Sequence, residues 1–355
     1  MVGTAAIPAS RRCGSSDAGR GGRADLECGC GRVPYAIGRG VRLLHRKLTY
    51  GQLAAAAAKL QPPEHVQLKD PKNYTLVGKP IKRLDTPEKT NGKAVFGIDV
   101  KLPGMLSAAI ARPPIFGATM KNFDDSRARS MPGVRKIAVI PNGVVVVADT
   151  FWQAKMARDV LRVEWDEGSM YDFDTARMMR DFRERAKTPG VSVRKDGDFD
   201  AVMASAAKKI EAVYEVPYLS HLMMEPLNCV VDLRADSCTL WTGTQFQTID
   251  RLNAAKTAGL PPEKVQIHTT FLGGGFGRRA NPSSDFVVEA VHVAKAAGAP
   301  VKVIWTREDD MSGGWYRPAF LHAIAGGIDA DGSVVAWRSR QGSRSWRKRR
   351  SLMLS

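Results

Sequence analysis

Apolar and polar positions along the chain switch between a period near two and a period near 3.6, the signatures of strands and amphipathic helices. Met105–Ala111 is a near-continuous apolar run of the kind a buried strand carries. Val134–Ile140 and Val144–Asp149 are two further strands, joined through Pro141-Asn142-Gly143. Asn-Gly between apolar runs is a strong hairpin signal, because both residues tolerate the positive φ of a tight turn. Phe151, Ala154, Ala157 and Leu161 recur at helical spacing, so Thr150–Leu161 is expected to be a helix with one apolar face. Around these lie an expected strand at Ala94–Val100, a short helix at Phe123–Ser130 and a closing strand at Val163–Asp166. Residues 84–168 therefore read as a compact α/β unit.

The pattern then changes. Residues 169–204 are charged and helical, with Asp174–Lys187 and Phe199–Ala207 on either side of Pro189-Gly190. Strand-like runs return at Lys209–Val216, Asn228–Leu233 and Thr239–Thr242, followed by a helix over Gln247–Ala258. Val265–Thr270 is a strand, Pro282–Ala297 a long helix, and Val301–Thr306 and Ser333–Trp337 are strands. Strands paired with helices make 205–337 a second α/β unit, incomplete at its C-terminal end. The fold class is mixed α/β. Ahead of both units, Leu48–Leu60 predicts an alanine-rich helix capped by Thr49, and the rest of 48–83 an extended connector.

The two ends do not fit this scheme. Residues 1–47 are rich in Gly, Arg and Ala without periodicity, and 338–355 turn abruptly basic after Trp337. Both are expected outside the fold, either as disordered basic arms or, the reading favoured here, as sequence not translated in the frame of the original gene. The ends also explain the charge. Of a net +17, residues 1–47 hold nine Lys/Arg against three acids and 338–355 hold seven against none, which leaves +4 for the body. A phosphate-tracking surface needs clustered charge on the folded body, so nucleic-acid binding is not expected. No apolar stretch reaches the ~18–20 residues that cross a bilayer.

Cysteine chemistry is equally sparse. Cys28-Gly-Cys30 lacks a second pair at zinc spacing, and Cys229 and Cys238 sit in strand-like runs as small core residues. No direct metal ligand set is expected. Arg11-Arg12 is not followed by the apolar core of an export signal, so localisation stays open between cytoplasm and periplasm.

Three segments could carry chemistry. The first is Phe271-Leu272-Gly273-Gly274-Gly275-Phe276-Gly277-Arg278-Arg279, between an expected strand and helix. Glycines there can bring main-chain N–H groups close to an anion, and Arg278 and Arg279 can supply charge. The run is neither a Walker A loop nor a dinucleotide fingerprint. A glycine-rich turn with two solvated arginines explains it equally well. The second segment is Tyr218–Pro226, with His221 and Glu225 bracketed by Pro217 and Pro226 and hence irregular. The third is Trp241–Gln247, where Thr244 is an expected N-cap and Gln245 falls near a positive helix end.

Together and in this order, the three segments resemble the large subunits of the xanthine dehydrogenase and aldehyde oxidase family of molybdenum hydroxylases. The Met224-Glu225-Pro226 form, the Gly273–Arg279 loop and Lys82-Arg83-Leu84-Asp85-Thr86-Pro87 look most like the isoquinoline 1-oxidoreductase type of beta subunit. The resemblance covers about 48–337. It implies an α/β hammerhead domain at 84–168 and the first part of a molybdopterin-binding domain at 205–337.

By position, Gln245 would lie near the molybdenum oxo ligand, and Gly274, Gly275, Phe276, Gly277 and Arg278 would belong to the cofactor loop. His221 and Glu225 would shape the substrate side. The implied cofactor is molybdopterin cytosine dinucleotide, with [2Fe–2S] clusters on a separate small iron–sulfur subunit. The implied reaction hydroxylates an N-heterocycle or an aldehyde with oxygen from water. The family's catalytic glutamate lies in sequence with no counterpart here, so no catalytic residue is assignable and the chain alone is expected to be inactive. The alternative reading is a non-catalytic α/β module that binds an anionic ligand at 273–279.

Overall fold

The computed structural model describes residues 35–36, 40–43, 46–48, 50–59, 68–344 and 352–354. The chain divides into two units, 1–87 and 88–355. In the first, β1 (Tyr35–Ala36), β2 (Gly40–Leu43) and β3 (Arg46–Leu48) form an antiparallel sheet, within a stretch whose sequence shows no strand period. Helix α1 (Tyr50–Ala57) follows. The expected Thr49 cap and the rest of 1–47 lie outside the described residues.

The second unit is built on a seven-stranded mixed sheet in the order β12-β11-β10-β13-β4-β7-β6. Its strands are β4 (Leu106–Ala111), β6 (Val134–Ile140), β7 (Gly143–Ala148), β10 (Asn228–Leu233), β11 (Cys238–Thr242), β12 (Val265–Thr269) and β13 (Val301–Ile304). The β6–β7 hairpin turns through Asn142, with Ile140 opposite Gly143, as its sequence predicts. Successive side chains on β4 and β7 point to opposite faces. Ala108, Ile110, Val145 and Val147 meet the large core under α5 (Gln247–Ala258) and α6 (Asp285–Ala297). Ala109, Val146 and Ala148 meet α2 (Phe151–Asp159) on the other face. Both faces are covered, which is why β7 is buried at every position.

This sheet joins what the sequence pattern separated. β4 pairs in parallel with β13, so strands from 84–168 and from 205–337 share one ladder. A smaller sheet carries β9 (Lys208–Val216), β14 (Phe320–Ile328), β15 (Val334–Arg344) and β16 (Leu352–Leu354) in the order β16-β15-β14-β9. Helix α3 (Thr175–Ala186) packs Met178, Met179 and Phe182 on Ala319 and Leu321. Helix α4 (Phe199–Ser205) brings Met203 against Gly327. A two-stranded pair, β5 (Thr119–Asp124) with β8 (Arg162–Asp166), completes the unit.

Four local expectations fail, each for a tertiary reason. Ala94–Val100 is not a strand; Gly97–Asp99 is a tight turn whose Ile98 N–H donates to Glu225 Oε1 at 3.2 Å. Phe123–Ser130 is not a helix, because Thr119–Asp124 pairs with β8 and only Ser126–Arg129 is helical. The long helix begins at Asp285, since Ser284 takes a left-handed φ of 51°. The strand expected at Ser333–Trp337 runs on to Arg344, paired with β14, and Arg340 donates to the Ala186 carbonyl at the end of α3. Residues 338–344 are therefore part of the fold and not of a basic tail.

Candidate functional site

The glycine loop connects β12 to α6, and three side chains hold it, two of them buried (Glu225 and Arg279) and the third, Gln245, exposed. Glu225 stands at its start. One carboxylate oxygen accepts from Gly273 N–H and Arg279 Nη2, both at 3.0 Å; the other accepts from Ile98 N–H at 3.2 Å and Asn228 Nδ2 at 2.8 Å. Arg279 stands at the loop's end, with its side chain fully buried. Beyond the ion pair it donates to the carbonyls of Gly274, Gly243 and Glu225, each at 3.0 Å. One buried ion pair thus ties both ends of the loop to the segments before β10 and after β11. A buried pair of this kind fixes geometry more surely than it adds stability.

The third group is Gln245. Its backbone N–H donates to Arg279 O at 3.1 Å, and its side-chain Oε1 accepts from Gly277 N–H at 3.1 Å. Thr244 beside it is not the helix cap that its sequence predicts: Phe246 holds that position, and Thr244 Oγ1 accepts from Phe246 N–H and bonds to the buried carboxylate of Asp250. Burial raises the Asp250 pKa above its usual 3.8, the bonds to Ser284 and Thr244 opposing it.

The loop's own conformation is costly. Phe276 has φ +51° and is 69% exposed as a residue, flanked by Gly274 at +106° and Gly277 at +93°. Strained backbone of this kind persists only where its surroundings hold it, and it gathers at functional sites. A Cβ on Gly275 would come within 2.5 Å of Gln245 Oε1, and one on Gly273 within 2.3 Å of Glu225 Cβ. With Gly273 and Gly277 N–H taken by Glu225 and Gln245, the amides of Gly274, Gly275 and Phe276 donate to no group among the described residues. Three successive N–H groups without a partner are available to an approaching anion.

The sequence-predicted residues fall into two sets. Gln245, Gly274, Gly275, Phe276 and Gly277 come together as expected. Arg278 does not offer its charge to the loop: its guanidinium is buried and pairs with both oxygens of Asp285, at 3.0 and 2.8 Å. Neither arginine is solvated, so the flexible-turn reading fails as well. Glu225 faces the protein interior, not a substrate. His221 is half-buried with Nδ1 unpartnered; burial first, then the charges of Arg278 and Arg317, push its pKa down, which keeps the ring neutral near pH 7. Asn228, Asp285 and the turn at 97–99 were not visible as site residues.

Residues 183–343 match the model of the molybdopterin cofactor-binding domain. The chain is 34% identical over 298 residues to the isoquinoline 1-oxidoreductase subunit beta of Brevundimonas diminuta, covering 79% of this chain and 37% of the relative. The chain belongs to the xanthine dehydrogenase and aldehyde oxidase family of molybdenum hydroxylases. A membrane-bound aldehyde dehydrogenase of Gluconacetobacter polyoxogenes, named for pyrroloquinoline quinone, is 32% identical over 72% of this chain and 34% of its own length. Among solved structures, quinoline 2-oxidoreductase from Pseudomonas putida 86 aligns with a TM-score of 0.59 and 21% identity, over 75% of this chain and 40% of that one. That likeness supports the same mixed α/β fold. The chain spans between a third and two fifths of the length of these relatives. Among the described residues no helix is long and apolar enough to cross a membrane.

Because the loop is packed against Gln245, Gly275→Ala is expected to expel the Gln245 side chain from Gly277 and cost about 1–3 kcal/mol, the usual penalty of overpacking. Urea unfolding followed by circular dichroism checks this. An unchanged midpoint would mean that the loop yields without strain.

Proposed function

We propose that the chain supplies the cofactor-contacting loop of a molybdenum hydroxylase large subunit, acting on an N-heterocycle or an aldehyde. The observation that carries the reading is the run of three unpartnered amides at Gly274–Phe276, beside a glutamine whose Oε1 is committed to Gly277. That commitment leaves the two Nε2 hydrogens of Gln245 as donors. Main-chain and amide donors together suit an oxo or phosphate oxygen, and they need no reorganisation when it arrives. Glycine at 275 lets the Gln245 side chain lie against the loop, where any Cβ would displace it.

When bound, the molybdopterin would supply oxygen transfer and a sink for two electrons; the protein supplies orientation and proton handling. Here Gln245 and the loop amides would hold the oxygen-bearing edge. Phe276 would present an exposed aromatic face, and His221, neutral near pH 7, an uncharged ring. Glu225 cannot act as a base, because both its oxygens are engaged by four donors. With no other carboxylate assigned that role, the chain by itself is proposed to have no turnover. The cytosine dinucleotide form of the cofactor, and a small iron–sulfur subunit carrying [2Fe–2S] clusters as electron outlet, complete the proposal. The relatives' own designation as subunits beta and B accords with such a partner.

The test is the content of the chain purified from a host that makes the molybdenum cofactor. Molybdenum by mass spectrometry and pterin by fluorescence should co-purify, and both should fall at least tenfold in Gly275→Val. Pyrroloquinoline quinone in place of molybdenum, or retention of a nucleotide with neither, would overturn the reading. Hydroxylation of isoquinoline by the purified chain with any electron acceptor would refute the proposed lack of turnover.

A further inference from the structure

Asp250, in the first turn of α5, is a buried acid with no cation opposite it. It is 1% exposed, and among the described residues no Lys, Arg or His pairs with it. The two arginines of the adjoining loop are committed elsewhere, Arg278 to Asp285 and Arg279 to Glu225. Of its oxygens, Oδ2 meets Thr244 Oγ1, while among the described residues no donor reaches the buried Oδ1 in hydrogen-bonding geometry. An ionised carboxylate is unfavourable in such a place, and the usual relief is to hold a proton.

Thr244 indicates where that proton sits. A hydroxyl has one hydrogen to give and two lone pairs with which to accept. Three groups surround Thr244 Oγ1: Phe246 N–H, which donates to it at 3.0 Å, the Asp250 carboxyl, and the Arg279 carbonyl at 3.4 Å. With Asp250 ionised, the last two are both acceptors and compete for one hydrogen. With a proton on Asp250 Oδ2, every group is served: the acid donates to Thr244, and Thr244 donates to Arg279 O. That carbonyl also accepts from Gln245 N–H at 3.1 Å. A directed chain of bonds thus ends on the backbone of Gln245, whose side chain holds Gly277.

The surroundings favour the same state. Burial raises the Asp250 pKa and Asp285 on α6 adds to it, against the hydroxyls of Ser284 and Thr244. Cys229 on β10, which lies within range of the Asp250 charge, is itself kept a neutral thiol by burial. The first turn of α5 favours an anion, but none of its amides donates to either oxygen.

We propose that Asp250 is a positioning residue of the glycine loop: held as the protonated acid at neutral pH, it donates to Thr244 and so leaves the Thr244 hydroxyl to anchor Arg279 and, with it, Gln245. That the loop so held receives a cofactor rests on the proposed function. The chain's own carboxyl and amides report the positioning whether or not that reading stands.

The test compares the full purified chain with Asp250→Asn, whose amide can donate to Thr244 as the acid does. The infrared difference spectrum at pH 7 should show the carbonyl stretch of a protonated carboxylic acid, lost in the variant. Urea unfolding across pH adds a second reading. A folded state that keeps a proton which the unfolded chain releases loses stability as pH rises from the ordinary 3.8 through the raised folded value. Wild-type stability relative to Asp250→Asn should therefore fall with rising pH, and the variant's urea midpoint at pH 7 should be at least as high. Amide exchange at Gln245 and Gly277 should be unchanged in Asp250→Asn and about fivefold faster in Thr244→Val, the effect of one lost hydrogen bond. Should Thr244→Val not fold, the infrared and pH readings, which need only the wild type and an isosteric variant, still decide. Absence of the acid band at pH 7 overturns the proposal. So does a relative stability that rises with pH, or exchange in Asp250→Asn as fast as in Thr244→Val.

Discussion

Arg279→Ala is expected to destabilise the chain by about 3–5 kcal/mol, the cost of breaking a buried ion pair by removing one partner. The side chain has no solvent exposure, and Glu225 opposite it has 7%. Truncation leaves the Glu225 carboxylate buried against neutral donors only. It also strips hydrogen bonds from the carbonyls of Gly274, Gly243 and Glu225. Each such loss costs about 1–3 kcal/mol where water cannot enter. Arg279→Lys keeps the charge but not the planar fork, so it should recover part of the loss. Urea unfolding at pH 7 gives both values. Arg194, 84% exposed and paired among the described residues only with Asp196, provides the contrast; its alanine variant should move stability by less than about 0.5 kcal/mol. A loss under about 1 kcal/mol for Arg279→Ala would mean that the loop is not held from below.

The same ion pair shows where sequence reading reaches and where it stops. Periodicity suffices for Asn228–Leu233 and Gln247–Ala258, whose bounds agree with β10 and α5, because burial on a known face repeats along each element. It also suffices for the Asn142-Gly143 hairpin, where turn chemistry is local. It fails at 94–100, where a run of strand-like residues is bent into a turn by Glu225 and by Lys302, which donates to the Ile98 carbonyl from 204 residues away. It fails at 338–344 for a related reason. Alternating Arg and Ser looks like a tail until β14, itself unassigned from its pattern, is there to pair with it.

In the site, the association of Gln245 with the glycine loop came from family resemblance and not from spacing. Spacing alone left Arg278 and Arg279 as solvated charges or anion ligands. Their partners, Asp285 and Glu225, make them neither. A residue's local sequence reports its propensity, whereas its partner is a property of the fold.

A second buried charge joins the two halves of the large sheet, and its removal is expected to cost nearly as much. Glu289 on α6 has a side chain 1% exposed. It accepts from Arg112 at the end of β4, from Asn142 in the β6–β7 turn, and from Trp305 Nε1 at 2.8 Å, just after β13. Glu289→Ala removes the acceptor shared by all three donors at once. Arg112 keeps Asp309 at 3.2 Å and its stacking on Trp305 at 3.8 Å, so a loss near about 3 kcal/mol, the lower end of the range for a broken buried pair, is expected.

The double variant decides whether charge or shape is responsible. Arg112→Met with Glu289→Met removes both ions and fills their volume, and replacing a whole buried pair by apolar residues is often close to neutral. Asp309 retains Arg158 at 2.8 Å in that variant, so no acid is left alone. The double should therefore be at least about 2 kcal/mol more stable than the sum of the single methionine variants predicts, a coupling that additive sites do not show. Additive losses in urea unfolding would mean that Glu289 holds the sheet by packing, with its charge irrelevant.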